Sequence, residues 1–252
     1  MIPEERRKQI LELLDRRSYV SVEELAGELY VSLATIRRDL TLLEKEGTIL
    51  RTHGGASFNK PDSFLSPFAL RNKTNIEEKT KIGKIAAGLI SNNDTLFVNA
   101  SSTCYAFAKL IPLDYHLEVL TNGIPLAHHL AEHRNITVSC PGGIYNYNHE
   151  GVYGNEVTDF ISKRYAKYCF MSCNGLDMEQ GASIFSDIDL PLVKAFRKNC
   201  DQVVMLVDHT KFDSKYYYKT LAMREIDILI TDQRPSNQWV NFCAEQGIQL
   251  MY

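Results

Sequence analysis

The sequence predicts a two-domain protein in which a small helical domain precedes a larger α/β domain. Its length of 252 residues allows one large domain or a small domain joined to a medium one. The pattern favours the second arrangement, because three helical segments and a short alternating stretch come first, whereas from residue 76 onward amphipathic helices alternate with short apolar runs. We therefore place the first domain at residues 1–57, a linker at 58–75 and the second domain at 76–252.

Composition and charge exclude several classes of protein. Apolar residues make up 44% of the chain and charged residues 23%, which excludes a wholly disordered, collagen-like or coiled-coil protein. No stretch approaches about eighteen consecutive apolar residues, and the first residues are charged where a signal peptide is apolar. We expect a cytoplasmic protein without a membrane partner. Because the net charge is −3, any contact with nucleic acid has to be local.

The cysteines and histidines do not show the spacing of a metal site. No two cysteines form a C-x-x-C pair, and we expect all six to be buried, reduced thiols: Cys104, Cys140, Cys169, Cys173, Cys200 and Cys243. His128 and His129 are adjacent and point in different directions on a helix, and we expect them and His149 to lie at the surface. The sequence thus predicts neither a metal nor another cofactor.

The first two helices of the small domain are predicted from their caps and periodicity. Residues 3–17 place apolar side chains in helical register, with proline at the tolerated first turn. The next helix opens with a capping box formed by Ser21 and Glu24, and it ends near Tyr30.

A third helix is predicted to begin after its cap, Ser32, and to end at Gly47. Its apolar positions form one stripe that faces the core: Leu33, Ile36, Leu40 and Leu43. The opposite face presents polar and small side chains, with Arg37 at its flank: Ala34, Thr35, Arg38, Thr41 and Lys45. Residues 48–58 then alternate and contain Gly54 and Gly55, which predicts a two-stranded β wing.

A helix, a tight turn and a second helix with exposed threonine and arginine match the geometry that enters the DNA major groove. Arginine can pair with guanine edges, and threonine can contact a base or a phosphate. The alternative is a helical interaction module with solvated arginines. The overall negative charge of residues 1–57 favours this alternative, whereas residues 32–53 carry a local excess of one positive charge, which favours DNA binding.

Residues 20–56, VSVEELAGELYVSLATIRRDLTLLEKEGTILRTHGGA, resemble the winged helix-turn-helix of the DeoR family of bacterial regulators of sugar metabolism. This resemblance implies that residues 20–39 form the helix-turn-helix. It implies that the following residues contact DNA, the last of them near a wing phosphate: Ser32, Thr35, Arg37, Arg38 and Arg51. Asp39 is expected to brace the arginines, because a carboxylate repels phosphates.

Small polar residues follow successive strands of the second domain. Ligands of parallel α/β sheets bind beyond the carboxyl ends of the strands, where helix N-termini favour anions. The chain supplies three such clusters: Ser101, Ser102 and Thr103; Asn122 and Gly123; Gly142 and Gly143. Helix capping and turn formation explain each cluster alone, but three successive clusters favour a shared cleft.

The motifs TNG, PGG, NGLD, VDHTKF and DILITD, in this order, resemble the DeoR sensor domain, which is similar to the sugar-phosphate isomerase fold. This resemblance implies a small phosphorylated sugar as effector, held by the three clusters with Lys211 as a charge partner beside Asp208. One departure is Asn99, where many family members have aspartate.

Three interpretations remain open at this stage. The first is a repressor that binds operator DNA as a homo-oligomer, because specific recognition normally combines two or more half-sites. The second is an isomerase-like enzyme, for which Asp177 and Asp208 are candidate bases, although either fits a turn or cap. The third is a non-specific architectural DNA binder, whose affinity would collapse with salt. Tyr216, Tyr217 and Tyr218 are expected to cover the pocket.

Overall fold

The computed structural model describes residues 3–17, 19–45, 49–52, 54–58 and 68–252. The chain divides into two compact units, Met1–Ser66 and Pro67–Tyr252. A short helix, Phe68–Arg71, lies within the stretch expected to be the linker and belongs to the second unit.

The first unit contains three helices and a small antiparallel sheet. Its elements are α1 (Pro3–Arg17), β1 (Tyr19–Ser21), α2 (Val22–Glu28), α3 (Leu33–Lys45), β2 (Ile49–Thr52) and β3 (Gly55–Phe58). The sheet has the order β1-β3-β2, so the predicted two-stranded wing carries a third strand. Strand β1 has only three residues between two helices, which is too short for an alternating pattern to show.

An apolar core joins the three helices to this sheet. It contains Ile10 and Leu14 of α1, Leu25 of α2, and Ile36 and Leu40 of α3, all fully buried. The prediction that Leu33 belongs to the buried stripe is wrong, since this side chain is 39% exposed. Leu33 is the first residue of α3 and lies at the end of the helix that faces the turn.

The second unit is an α/β domain, as the sequence predicts. Its helices are α4 (Phe68–Arg71), α5 (Ile76–Ala87), α6 (Ser102–Ala108), α7 (Ile124–Ala131), α8 (Asn155–Ser162), α9 (Leu190–Lys198) and α10 (Asn237–Gln246). Its strands are β4 (Thr95–Val98), β5 (Leu117–Thr121), β6 (Ile136–Ser139), β7 (Ile144–Asn146), β8 (Gly151–Tyr153), β9 (Ala166–Met171), β10 (Gly175–Asp177), β11 (Gly181–Ile184), β12 (Cys200–Leu206), β13 (Tyr218–Leu221), β14 (Ile228–Ile230) and β15 (Gln249–Met251).

Seven of these strands form one parallel sheet in the order β15-β14-β12-β9-β4-β5-β6. Both faces are covered, which explains why the strands are apolar runs rather than alternating segments. On one face Phe97 and Leu120 pack with α8, α9 and α10, and on the other Leu96 and Val119 pack with α5, α6 and α7. Because the seven strands are parallel, their carboxyl ends all lie at the same edge of the sheet.

Two antiparallel pieces were not predicted from the sequence. Strands β7 and β8 form a hairpin between β6 and α8, and β10, β11 and β13 form a three-stranded sheet. The last of the three tyrosines expected to cover the pocket, Tyr218, is the first residue of β13. Three of these five strands have three residues and the other two have four, so none is long enough to show a clear period.

The cysteine and histidine expectations are corrected at two positions. All six cysteines are free, and five are buried, but Cys140 is exposed because it lies in the loop after β6. Burial raises the pKa of the Cys104 and Cys173 thiols to about 12. His128 is exposed as expected, whereas the His149 side chain is only 18% exposed. The part of the chain that the structure describes contains no cluster of side chains suited to a metal ion.

Among the described residues, every helix is too short or too polar to cross a lipid bilayer.

Candidate functional site

Helix α2, a four-residue turn and helix α3 form a helix-turn-helix. Ser21 caps α2: its side chain accepts from the Glu24 N–H, and the Glu24 carboxylate accepts from the Ser21 N–H at 2.8 Å. The turn contains Tyr30 with a positive φ of 53°, which lets the chain reverse direction between the helices. The predicted capping box is therefore confirmed.

The outward face of α3 carries the predicted DNA-contacting side chains. The Ser32 hydroxyl caps α3 by accepting from the Thr35 N–H at 3.2 Å, and the two hydroxyls are hydrogen-bonded to each other at 2.8 Å. Arg37 and Arg38 are exposed, while Ile36, the residue before them, is fully buried. The buried stripe thus fixes which side of the helix the two guanidinium groups occupy.

Asp39 does brace an arginine, but not one on α3. Its carboxylate is buried and binds the Arg6 guanidinium through two hydrogen bonds, from Nε at 2.5 Å and from Nη2 at 3.2 Å. This pair joins α1 to α3 and raises the pKa of Arg6, chiefly through the hydrogen bond. Because Asp39 is held at the core side of α3, its negative charge does not lie on the face that presents Arg37 and Arg38.

The fifth predicted DNA contact, Arg51, lies on β2, whose residue 51 pairs with Ala56 of β3. The side chain of Arg51 lies outside the part of the first unit that the structure describes. Its role at the wing stays a prediction.

In the second unit, the first cluster of hydroxyl residues follows β4 at the carboxyl edge of the large sheet. Ser101 caps α6, because its hydroxyl accepts from the Cys104 N–H at 3.0 Å. Ser102 and Thr103 form the first turn of α6 and are buried. Asn99, where a family aspartate was expected, is also buried and lies 3.9 Å from the Cys104 Sγ.

The second cluster lies at the end of β5 and contacts Ala100, the residue that precedes the first cluster. The Asn122 Oδ1 accepts from the Ala100 N–H at 2.9 Å, and the Asn122 amide donates to the Val152 carbonyl at 3.4 Å. Asn122 is fully buried, so its side chain connects the turn after β4 to the β7-β8 hairpin. Gly123 allows a close approach here, because a Cβ would lie 3.2 Å from the Ala100 Cα.

Lys211 lies two strands away from the first cluster, after β12. Its Nζ is 4.0 Å from the Asp208 Oδ2, and both side chains are buried. Burial on its own would raise the pKa of Asp208, but Lys211, the Thr210 hydrogen bonds and Lys79 outweigh it and lower the pKa. The carboxyl edge therefore carries two buried lysines within electrostatic range of one carboxylate.

The third cluster is the most distant from Lys211. Gly142 and Gly143 follow β6, the last strand of the sheet, and both are exposed. From β12 to β6 there are four steps between strands, and each step spans about 4.8 Å. The predicted set thus extends along most of the edge, which is longer than a small sugar phosphate could span.

The two aspartates considered as catalytic bases act in local structure. Asp177 accepts from the N–H groups of Glu179 and Gln180 in a turn, at 3.0 and 2.9 Å. Asp208 caps the short helix that contains Lys211 and accepts a hydrogen bond from the Thr210 hydroxyl. These contacts are the turn and cap roles that the sequence also allowed.

The structure adds a polar cluster that the sequence analysis did not include. It comprises Asp189 at the start of α9, Tyr153 at the end of β8, and His149 and Arg71 beside them. Burial raises the pKa of Asp189 to about 6 and lowers that of His149 to about 4. The four residues come from three distant segments, so no local sequence pattern predicts the cluster.

A helix-turn-helix with exposed arginines, followed by an α/β domain with a polar sheet edge, defines a DNA-binding transcription regulator with a sensor domain. The comparisons with known proteins agree: the DeoR-like helix-turn-helix domain matches residues 6–62, and the DeoR C-terminal sensor domain matches residues 74–233. The chain belongs to the DeoR family.

Three relatives match nearly the whole chain. The HTH-type transcriptional regulator GolR of Listeria innocua is 38% identical over 93% of this chain and 92% of its own. The HTH-type transcriptional repressor GlcR of Bacillus subtilis is 33% identical over 100% of this chain and 96% of its own length. The glycerol-3-phosphate regulon repressor of Escherichia coli is 30% identical over 98% of this chain and 97% of its own length. These relatives are regulators, which disfavours the isomerase-like enzyme.

Proposed function

We propose that this protein is a repressor of a sugar-metabolism operon, whose binding to operator DNA is controlled by a phosphorylated sugar. The observation that carries the proposal is the outward face of α3, where Arg37 and Arg38 are exposed while the one carboxylate of that part of the helix, Asp39, is paired with Arg6. Ser32 and Thr35 begin the same face. This is the geometry of a recognition helix.

Repression is supported by the names of two relatives, GlcR and the glycerol-3-phosphate regulon repressor, both described as repressors. We propose that the protein works as a homo-oligomer of at least two chains, because one helix-turn-helix contacts one half-site and operator specificity normally needs two related by symmetry. The effector then acts by binding more tightly to the arrangement of subunits that does not fit the operator.

The proposed effector site lies at the carboxyl edge of the large sheet. The phosphate would lie against Ser101, Ser102 and Thr103, whose segment turns from β4 into α6. Lys211 follows β12, about 10 Å away across two strands, and would supply positive charge. Asn122 and Gly123 would hold the turn in place from below, and Gly142 and Gly143 would form the outer boundary of the site.

Replacing Arg38 tests the DNA-binding face. We expect Arg38→Ala to weaken operator binding by about 1 to 3 kcal/mol, because a base or phosphate contact is lost while the fold is retained. The measurement is a gel-shift titration, with the oligomer mass checked by light scattering. Arg134→Ala is the matched control, since it removes the same charge from an exposed position of the second unit. Unchanged binding by Arg38→Ala would remove this residue from the interface.

Replacing Ser102 tests the phosphate position. We expect Ser102→Glu to abolish the release of DNA by a sugar phosphate, because a carboxylate repels the phosphate. Ser102→Gln has nearly the same size without the charge, so it controls for the crowding of a buried position. The emission of Trp239, which is buried in the second unit, reports whether both variants are folded. Equal release of the Glu and Gln variants would place the phosphate elsewhere.

A further inference from the structure

Two buried polar atoms of the second unit lack hydrogen-bond partners and belong to neighbouring side chains. These atoms are the Asp189 Oδ1 and the Tyr153 Oη, neither of which is hydrogen-bonded within the described residues. Asp189 is 9% exposed and Tyr153 is 4% exposed. Burial, followed by the nearby Asp189 carboxylate, raises the pKa of Tyr153 well above its usual value. Buried polar groups without partners are rare in folded proteins and require an explanation.

The Tyr153 phenol and the Asp189 carboxylate lie close enough for each to shift the pKa of the other, but the geometry between them does not complete a hydrogen bond. The His149 Nδ1 lies 3.7 Å from the Asp189 Oδ2, which is too long for a hydrogen bond, and the ring of His149 meets that of Tyr153 edge to face. Arg71 donates to the Asn148 carbonyl at 3.1 Å, and its charge opposes the rise in the pKa of Asp189. Asp189 begins α9 but makes no side-chain cap.

This cluster adjoins the phosphate loop, which is residues 100–103, the segment proposed to hold the phosphate. Asn122 accepts from the Ala100 N–H at the start of that loop, and its side chain is also close enough to Tyr153 to affect the pKa of the phenol. Gly151 brings the hairpin against the loop, because a Cβ at this position would lie 2.9 Å from the Ala100 Cβ. One buried asparagine therefore separates the phosphate loop from the two unpaired atoms.

There is also space beside Tyr153. A cavity of about 410 Å³ is lined by Tyr153 and Gly154 on one side and by Ser186, Asp187 and Pro191, at the start of α9, on the other. We propose that Asp189 and Tyr153 bind hydroxyl groups of the sugar part of the effector. This inference rests on the proposed function and assigns residues to the part of the ligand that is not phosphate.

A hydroxyl group satisfies both atoms, because it donates its proton to the Asp189 Oδ1 and accepts one from the Tyr153 Oη. An ammonium ion only donates and would leave the phenol proton without an acceptor. At neutral pH His149 is uncharged, since burial lowers its pKa to about 4, and it does not compete for the carboxylate as a cation. A polyhydroxy compound is thus the ligand class that matches the cluster.

The test separates the sugar part from the phosphate. Calorimetric titrations of the full-length protein use inorganic phosphate and four sugar phosphates: glucose 6-phosphate, fructose 6-phosphate, ribose 5-phosphate and glycerol 3-phosphate. We expect Tyr153→Phe and Asp189→Ala to weaken the tightest of the four by at least about tenfold, because each removes one hydrogen bond. Binding of inorganic phosphate should be unchanged.

Tyr168→Phe is the matched control, because it removes a hydroxyl from another largely buried tyrosine, one that packs on the opposite face of the sheet. It should bind all five compounds like the wild type. Wild-type affinity of both cluster variants for the sugar phosphate would overturn the inference and leave the proposed function intact. A wild type that binds no sugar phosphate more tightly than inorganic phosphate would also overturn it, and the absence of all binding would overturn both proposals.

Discussion

At the scale of single residues, three buried carboxylates show how the partner decides the role. Asp39 is paired with Arg6, and Asp208 is held by Lys211 and Thr210, so both serve the structure. Asp189 is also buried, but its Oδ1 has no hydrogen-bond partner within the described residues. A buried charge without full compensation costs stability, and such residues tend to cluster where a ligand binds.

The cluster predicts opposite pH dependences for Asp189 and His149. The pKa of Asp189 is raised from 3.8 to about 6, so its contribution to stability falls as pH rises from 4 to 6. The pKa of His149 is lowered from 6.5 to about 4, so its contribution rises over the same range. From pH 4 to pH 7, Asp189→Asn should therefore gain about 2 to 3 kcal/mol relative to wild type, and His149→Gln should lose a comparable amount.

The measurement is urea unfolding followed by the emission of Trp239, the one tryptophan of the chain, which is buried in the second unit. The difference in free energy of unfolding between each variant and the wild type cancels the contributions of the other titrating groups. Parallel pH profiles for the two variants would contradict the assignment of these two shifts.

The residues that the sequence predicted correctly act over short distances along the chain. Ser21 and Glu24 are three positions apart, as are Ser32 and Thr35, and the caps of α2 and α3 follow from that spacing. The contacts that were missed join distant segments: Arg6 binds Asp39, 33 residues away. Asn122 likewise binds the Ala100 N–H, 22 residues away. No local pattern contains such pairs, because only the assembled fold brings them together.

At the scale of elements, length and periodicity decided what was predictable. The helices α1, α3 and α5 have 12 or more residues and the parallel strands are apolar runs, so their type follows from the sequence. The hairpin β7-β8 and the sheet β10-β11-β13 are short, and their pairing depends on tertiary contacts and glycines. Their positions matter for function, since β8 ends at Tyr153 and β7-β8 contacts Asn122.

Gly181 tests the small antiparallel sheet. It has a φ of +80°, and a Cβ there would lie 2.1 Å from the Leu221 carbonyl of the neighbouring strand. Gly181→Ala should therefore lower the free energy of unfolding of the second unit by at least about 2 kcal/mol, as measured by the Trp239 emission in urea. Gly142→Ala is the control, because a Cβ there meets nothing within 4 Å. Equal stability of the two variants would show that the Gly181 turn tolerates a side chain.

At the scale of the whole molecule, the account combines two units with different tasks. The first unit supplies the helix-turn-helix, and its basic face on α3 is local, since the net charge of the chain is −3. The second unit supplies the carboxyl edge of the large sheet, with the phosphate loop, two buried lysines and the polar cluster around Asp189. The match of both units to the DeoR family fixes the class of the protein. The proposed effector and the proposed oligomer account for how the two tasks are coupled.

The most direct test is fluorescence anisotropy of the full-length protein on DNA from immediately upstream of its own gene, at near-physiological salt, with and without phosphorylated sugars. The account predicts a dissociation constant of about 10⁻⁸ M or lower, at least about a thousandfold tighter than on scrambled DNA, and release by one sugar phosphate. Binding no tighter than to scrambled DNA, with every sugar phosphate tested, would contradict the central claim that α3 reads an operator under effector control.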